Sequence, residues 1–212
     1  MRPGADRLYR EEAKGERLGR NGRGHAVKRL LDLVLVLLLM PLLLPLMAGI
    51  AALIKLTSKG PALHWSDRIG RNNTRFRMPK FRTMRMGTPA VATHLLSDAE
   101  AYVTPVGSLL RRSSLDELPQ LFSVLAGHMS LVGPRPALFN QDDLMALRTE
   151  RGVHQLVPGI TGWAQVNGRD ELPIPVKVDY DEEYLRRRSF SFDLKILFLT
   201  AVRVLRGEGV SH

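Results

Sequence analysis

The longest hydrophobic pattern in the chain runs from Leu30 to Ile54 and reads LLDLVLVLLLMPLLLPLMAGIAALI. Its only charged residue is Asp32, near its start. About 20 apolar residues can cross a bilayer as a helix, and a helix that is apolar on every face is unusual in a small soluble core. The run therefore predicts a membrane-inserted helix. A cleaved signal peptide fits less well, because its charged part would fill residues 1–29 and its apolar part would exceed the usual length of about 7–15 residues.

Two features of this run favour a re-entrant helix over a spanning one. Pro41 and Pro45 lie in its middle, where each removes a backbone hydrogen bond and favours a kink. Both flanks are basic, and basic flanks favour the cytoplasmic side of a membrane. We therefore predict that residues 26–58 form a re-entrant anchor with a break at the two prolines. Its basic flanks suit anionic lipid headgroups.

The remaining pattern predicts an α+β fold that is mostly helical. Residues 1–25 are rich in Arg and Gly and lack apolar periodicity, which is typical of a disordered basic leader. Residues 59–212 are predicted to form one compact domain on the cytosolic face. Its predicted elements are a strand or irregular basic loop over residues 74–85, two helical pieces over residues 109–125 with an interruption near Ser113 and Ser114, and helices over residues 138–152 and 177–206. The last segment is amphipathic, so it either packs on the domain or lies at the lipid interface.

Composition narrows the class of partner. The chain of 212 residues has 31 Lys and Arg against 21 Asp and Glu, a formal net charge of +10. This excess favours an anionic partner such as nucleic acid, anionic lipid or a phosphorylated small molecule. No cysteine is present, which excludes disulfides and cysteine-based zinc sites.

Against this basic background, Asp116 and Glu117 stand side by side in SSLDELPQLF. One interpretation is a capping box, in which Ser114 and Glu117 only stabilise a helix start. The other is chemical. Arg111 and Arg112 lie nearby, and positive charge with a helix N-terminus would hold Asp116 ionised as a nucleophile toward phosphorus. A second carboxylate beside it could bind Mg2+ together with substrate phosphates.

Two Gly- and Pro-rich segments add candidate phosphate contacts. GPRP at residues 133–136 holds Arg135 between two prolines, and a rigid guanidinium suits bidentate phosphate binding. PGITGWAQVNGR at residues 158–169 allows close backbone approach and offers side-chain donors. Taken alone, GPRP is equally well read as a simple turn with a solvated arginine. The Gly-rich loop alone is weak evidence, because it matches neither a P-loop nor a dinucleotide-binding fingerprint.

Taken together, these segments resemble the bacterial sugar transferases that are monotopic phosphoglycosyl transferases. The resemblance runs from KRLLDL (Lys28–Leu33) to the C-terminus and includes KFRTM, SLDELPQLFSVLAGHMSLVGPRP, PGITGWAQVNGR and DYDEEY. It implies transfer of a sugar-1-phosphate from a UDP-sugar to a polyprenyl phosphate such as undecaprenyl phosphate, with release of UMP. This is the first membrane step of bacterial glycoconjugate or exopolysaccharide synthesis, and it implies a catalytic domain on the cytoplasmic face of the bacterial inner membrane.

The same resemblance assigns roles to residues. Asp116 would form a covalent phosphosugar-aspartyl intermediate, and Glu117, with Asp116, would hold Mg2+. The residues matched to substrate binding are Lys80, Arg82, Arg111, Arg135, Gln165, Asn167 and Arg169. Two positions depart from the family pattern: Leu44 stands where a serine is common before Pro45, and Ser66 stands where glutamine is common. These departures concern the anchor and the segment after it.

Two other activities are compatible with parts of the sequence. A membrane-tethered basic protein that binds anionic lipid or nucleic acid would explain the charge and the anchor, but not the carboxylate pair, and no nucleic-acid-binding signature is present. A glycosyl transferase that releases UDP differs in the leaving nucleotide. We therefore expect a UDP-sugar, a polyprenyl phosphate and anionic membrane lipid as partners, and no nucleic acid. The sequence does not specify the sugar.

Overall fold

The computed structural model describes residues 5–88, 99–168 and 172–206. Its helices are α1 (Ala5–Thr57), α2 (Ala99–Tyr102), α3 (Pro105–Arg112), α4 (Gln120–Leu125), α5 (Asp142–Glu150), α6 (Ile174–Arg187) and α7 (Phe190–Arg206). Its strands are β1 (Leu63–Ile69), β2 (Arg75–Phe81), β3 (Ser130–Val132), β4 (Ala137–Leu138) and β5 (Gly159–Thr161). This composition confirms the predicted α+β fold in which helix dominates.

Helix α1 packs one stripe of its surface against the domain. The buried apolar residues of this stripe recur at intervals of three, four or seven positions, which places them on one face of the helix: Val36, Met40, Met47, Ile50 and Ile54. Leucines on the rest of the surface are open, with Leu38 74% and Leu42 75% exposed. In the described part of the chain, the segment Ala26–Thr57 is long and apolar enough to cross a membrane. One side of α1 therefore belongs to the core, and its other sides are suited to lipid.

The helix runs unbroken through Pro41 and Pro45. The structure does not show the predicted break at these prolines, and the re-entrant course of the helix stays a prediction. At its other end the helix continues back to Ala5, into the segment predicted to be a disordered leader. The state of that leader also stays a prediction.

Strands β1 and β2 form an antiparallel hairpin, and β4 pairs with the other edge of β1. In the turn between β1 and β2, Asn72 and Asn73 adopt the left-handed conformation (φ 54° and 59°), which asparagine tolerates better than most residues. Residues 75–81 are thus a strand and not an irregular loop. Side chains alternate across a strand, and Phe76 and Met78 bury one face of β2 against α1 and α4. Lys80 lies on that same face.

Strands β3 and β5 are parallel neighbours that meet at two glycines. Gly133 N donates to Thr161 O (2.8 Å), and Gly159 N donates to Pro134 O (2.9 Å). A Cβ built at Gly159 would lie 2.0 Å from Gly133 N and 2.4 Å from Thr161 O. Both atoms are backbone, so neither can move without shifting the strand pair. This close approach holds the GPRP loop against the Gly-rich loop.

We expect Gly159→Ala to destabilise the fold by about 1–3 kcal/mol, because the added methyl group overpacks a rigid backbone contact. Thermal unfolding of the purified protein measures the effect. Gly49→Ala is the matched control, since a Cβ at Gly49 meets no atom within 4 Å. Equal melting temperatures for Gly159→Ala and the wild-type chain would contradict the packing described.

Helix α7 exposes an apolar stripe with a spacing of four residues. Phe190 is 64%, Leu194 56% and Phe198 67% exposed, while Phe192 and Ile196 on the opposite face are buried in the core. A helix with one buried face and one exposed apolar stripe has the character of an interfacial helix. The packing of α7 on the domain is therefore confirmed, and its position at the lipid interface stays a prediction.

Candidate active site

The acidic pair lies in a single 3-10 turn, Leu115–Glu117, between α3 and α4. The chain reverses there through Ser114, which adopts the left-handed conformation (φ 56°). This confirms the predicted interruption near Ser113 and Ser114. The capping-box interpretation is wrong, because the Ser114 side chain makes no capping hydrogen bond and Glu117 points to cations instead. Asp116 is only 8% exposed.

Glu117 joins two cations from separate parts of the chain. Its Oε1 atom accepts hydrogen bonds from Lys80 Nζ (2.7 Å) and from Arg135 Nη2 (3.1 Å). Lys80 comes from β2, and Arg135 comes from the GPRP loop after β3. Three segments far apart in sequence therefore meet at this carboxylate.

Arg111 flanks the other carboxylate. It lies in the last turn of α3, and its Nε donates to Thr83 Oγ1 (3.0 Å). Burial lowers the pKa of this guanidinium, and the nearby charge of Asp116 opposes that effect. Four of the predicted site residues thus surround Asp116: Lys80, Arg111, Glu117 and Arg135.

The two carboxyl groups have opposite pKa shifts. Burial raises the pKa of Asp116, and the Glu117 charge adds to this effect, while Lys80, Arg111 and Arg135 oppose it. Burial also acts to raise the pKa of Glu117, but Lys80 and Arg135 outweigh it and hold that pKa well below its ordinary value. The neighbouring cations favour the ionised form of Asp116, as predicted, but burial has the larger effect, so the pKa of Asp116 is raised. The ionised form is therefore more strongly stabilised at Glu117 than at Asp116.

The loop that carries Arg135 is held from behind by a buried ion pair. Arg148 of α5 donates from Nε and Nη2 to Asp181 Oδ2 of α6 (3.0 and 2.6 Å) and from Nη1 to the carbonyl of Arg135 (2.8 Å). Asp181 is 1% exposed. Arg148 therefore fixes the backbone of Arg135 while Arg135 fixes Glu117.

The remaining predicted residues do not share these contacts. Arg82 donates to Ser58 O (3.1 Å) and Ser58 Oγ (2.6 Å) at the C-terminal end of α1, where carbonyl groups and the helix dipole attract a cation. Gln165 donates to Ile160 O (3.3 Å) and Asn167 to Trp163 O (2.7 Å), so both brace their own loop. Arg169 lies outside the described residues. The roles of these residues in substrate binding stay predictions.

Strand β1 adds side chains beside Lys80 that were not predicted to belong to the site; we call this face of the strand, with His64 and Arg68, the β1 wall. His64 is directly opposite Lys80 in the β1–β2 ladder, so the two side chains lie on one face of the sheet. Arg68, on the same face, donates to Ser66 Oγ (3.1 Å) and to Pro136 O of the GPRP loop (3.1 Å). The available signal was the alternation in LHWSDRI, which becomes informative only once the hairpin register is known.

We expect His64→Gln to weaken substrate binding by about tenfold, the loss of one hydrogen bond to a charged group. Desolvation, Lys80 and Arg68 all lower the pKa of His64, so the imidazole is neutral at pH 7 and available as a hydrogen-bonding group. The KM for substrate should rise while kcat changes little. Asp67→Asn, on the opposite face of the same strand, is the control. A KM equal to that of the control would show that the β1 wall does not touch substrate.

Comparison with known proteins places this site in a family. Residues 23–207 match the family described as bacterial sugar transferase. The chain belongs to the bacterial sugar transferase family. This confirms the resemblance drawn from the motifs, and the match includes the acidic pair and the cations around it.

Its relatives include proteins that are named for an activity. A UDP-glucose:undecaprenyl-phosphate glucose-1-phosphate transferase of Xanthomonas campestris pv. campestris is 44% identical over 186 residues, 84% of this chain and 38% of that protein. A protein of the same description from Escherichia coli is 40% identical over 191 residues, 86% and 41% of the two chains. An uncharacterized sugar transferase of Bacillus subtilis is 40% identical over 188 residues, 88% and 91%. This sugar transferase thus spans less than half the length of the first two relatives and nearly all of the third.

The acidic pair of this sugar transferase could hold Mg2+ together with oxygen atoms of a bound substrate. Among the residues that the structure describes, no group of three or more His, Asp or Glu side chains could hold a metal ion. Mg2+ usually takes one or two protein carboxylates and completes its octahedron with phosphate oxygens and water. Asp116 and Glu117 provide such a partial set. Lys80 and Arg135 would share the anionic charge of the same phosphates.

Proposed function

We propose that this chain transfers a sugar-1-phosphate from a UDP-sugar to a polyprenyl phosphate, undecaprenyl phosphate in a bacterial membrane, and releases UMP. The observation that carries the proposal is a buried carboxylate, Asp116, whose neighbours are a paired carboxylate and three cations. A binding protein for anionic lipid or nucleic acid has no use for a nucleophile buried among its cations. The names of the relatives support the same substrates.

In the first step the cations bind the diphosphate of the UDP-sugar. A carboxylate oxygen of Asp116 attacks the phosphorus next to the sugar, and the bond from that phosphorus to the bridging oxygen breaks. The bridging oxygen and its electron pair leave with UMP. The product on the protein is a phosphosugar-aspartyl intermediate. Phosphoryl transfer of this kind depends on positioning and charge neutralisation, which Lys80, Arg111 and Arg135 provide.

In the second step an oxygen of the polyprenyl phosphate attacks the same phosphorus. The bond between phosphorus and the Asp116 oxygen breaks, and the carboxylate is restored. The product is a polyprenyl diphosphate sugar, an early membrane intermediate for a bacterial glycoconjugate or exopolysaccharide. Mg2+, held by Glu117 and Asp116 with substrate oxygens, would supply further charge neutralisation when bound.

The packing of both ends of α1 on one domain supports a monotopic attachment, and we propose that it is re-entrant at Pro41 and Pro45. Near one end of its apolar run, Lys28 Nζ pairs with Asp193 Oδ2 (2.5 Å), and near the other end Ile54 packs in the core with Phe81 and Leu110. A helix that crossed a hydrocarbon core of about 30 Å would separate these ends. Since both ends contact one charged domain, the proposed arrangement places that domain on the cytoplasmic face of the inner membrane with the exposed leucines of α1 in lipid.

The experiment is nucleotide release. Purified protein in nanodiscs is incubated with Mg2+, undecaprenyl phosphate and a panel of UDP-sugars, with and without EDTA. We expect UMP release that requires metal and one or two sugars. Release of UDP would show that a different bond breaks, and tight binding of lipid or nucleic acid with no nucleotide release would favour the binding protein.

A further inference from the structure

Asp32 is an unusual residue for a membrane helix. It is the only charged residue between Leu30 and Ile54, and it is only 6% exposed. A buried carboxylate is costly unless it is paired or hydrogen-bonded, and an ionisable residue inside a membrane segment usually has a function. Because it is buried, Asp32 is directed to the protein and not to lipid headgroups.

The hydrogen-bond donors to Asp32 lie at the start of β3, the strand that leads to the active site. Ser130 Oγ donates to Asp32 Oδ2 (2.7 Å), and Leu131 N donates to Asp32 Oδ1 (3.2 Å). These are the first two residues of β3. Arg135 comes four residues after Leu131, and its guanidinium donates a hydrogen bond to Glu117. The carboxylate of Asp32 thus holds the start of a short rigid segment whose end lies in the site.

The preceding turn of α1 holds the other side of the same site. Arg29 donates to the carbonyls of Val124 and Leu125 at the C-terminal end of α4, the helix that follows the acidic pair. One turn of the membrane helix therefore contacts both segments that build the site: α4, which follows the carboxylates, and β3, which leads to the arginine.

We propose that Asp32 is a positioning residue that sets β3 so that Arg135 meets Glu117, which makes the membrane helix part of the catalytic framework as well as the anchor. The inference rests on the proposed transferase function for its kinetic consequence. Its structural consequence is independent of any activity: loss of the Asp32 contacts should loosen residues 131–135.

The test compares three variants of the full chain in nanodiscs. Asp32→Leu removes both hydrogen bonds, and Ser130→Ala removes one of them with a smaller risk of misfolding. Val36→Ala is the matched control, because Val36 is fully buried on the same helix and its truncation weakens packing while both hydrogen bonds from β3 to Asp32 remain. Measured quantities are kcat and KM for UMP release, hydrogen exchange over residues 131–135, and melting temperature.

We expect Asp32→Leu to lower kcat by more than about tenfold and Ser130→Ala by a smaller factor, with KM for the UDP-sugar changed less than kcat. Exchange over residues 131–135 should rise in both, whereas Val36→Ala should lose melting temperature but keep its kcat and its exchange pattern. Equal loss of kcat in Val36→Ala and Asp32→Leu at equal melting temperature would overturn the proposal, as would unchanged exchange in both Asp32→Leu and Ser130→Ala. If the wild-type chain releases no UMP, the proposed function fails, and the exchange measurement still decides whether Asp32 holds β3.

Discussion

Asp116→Asn is expected to abolish sugar-phosphate transfer, with kcat reduced by at least about 10³-fold, because an amide cannot act as the nucleophile. The substitution is nearly isosteric, so Lys80, Arg111 and Arg135 can still bind the diphosphate. The KM or Kd for the UDP-sugar should therefore change much less than kcat. Nucleotide release under single-turnover conditions measures the loss.

The same variant should not be destabilised. Burial raises the pKa of Asp116 in the fold, so its favourable contribution to stability is present below the unfolded pKa and is lost as pH rises. At pH 7 the ionised form therefore opposes folding, and Asn should leave the melting temperature equal or higher. Asp142→Asn, at an exposed aspartate of α5, is the control. Retained turnover in Asp116→Asn, or a loss of turnover that accompanies unfolding, would contradict this account of the residue.

Glu117→Gln is expected to lower activity by about 10²–10³-fold, the range seen when one preorganised electrostatic contact to a transition state is removed. The change leaves Lys80 and Arg135 without their anion and removes a candidate Mg2+ ligand. Unlike Asp116→Asn, it should also lower the free energy of unfolding, by about 2 kcal/mol, because charge-assisted hydrogen bonds are lost. Chemical denaturation at pH 7 measures the second effect.

The pH dependence of that difference follows from the depressed pKa of Glu117. A carboxylate with a lowered folded pKa stabilises the fold above its unfolded pKa, and this contribution disappears as pH falls through the folded value. The stability gap between wild type and Glu117→Gln should therefore narrow once the pH is below about 4. A gap that is independent of pH would show that the ion pairs do not contribute. A double-mutant cycle with Lys80→Met would separate the two contacts.

Local chemistry explains why much of this site could be predicted from sequence. Adjacent carboxylates near arginines, and an arginine between two prolines, are informative without a fold, and the structure brings Lys80, Asp116, Glu117 and Arg135 together. The apolar run of α1 likewise needs only composition. Ser114 interrupts the helical pattern because a residue in the left-handed conformation cannot continue a right-handed helix.

Contacts between distant segments could not be predicted in the same way. Arg148 and Asp181 are 33 residues apart, and nothing in either segment marks the other as its buried partner. His64 faces Lys80 only because the β1–β2 register places it there, since a shift of one residue would turn it to the other face. The direction in which the pKa of Asp116 is shifted also depends on burial, which cannot be read from the sequence. Sequence and charge identified the chemical groups, and tertiary packing decides how each group behaves.

The most direct test of the account is to trap the intermediate. Wild-type protein is mixed with Mg2+ and the UDP-sugar that supports turnover, without polyprenyl phosphate, and is then quenched and examined by intact-protein and peptide mass spectrometry. The account predicts one added sugar-phosphate on the peptide that contains Asp116, absent in Asp116→Asn and lost when polyprenyl phosphate is added. Full transfer with no adduct on Asp116, or an adduct on another residue, would contradict it.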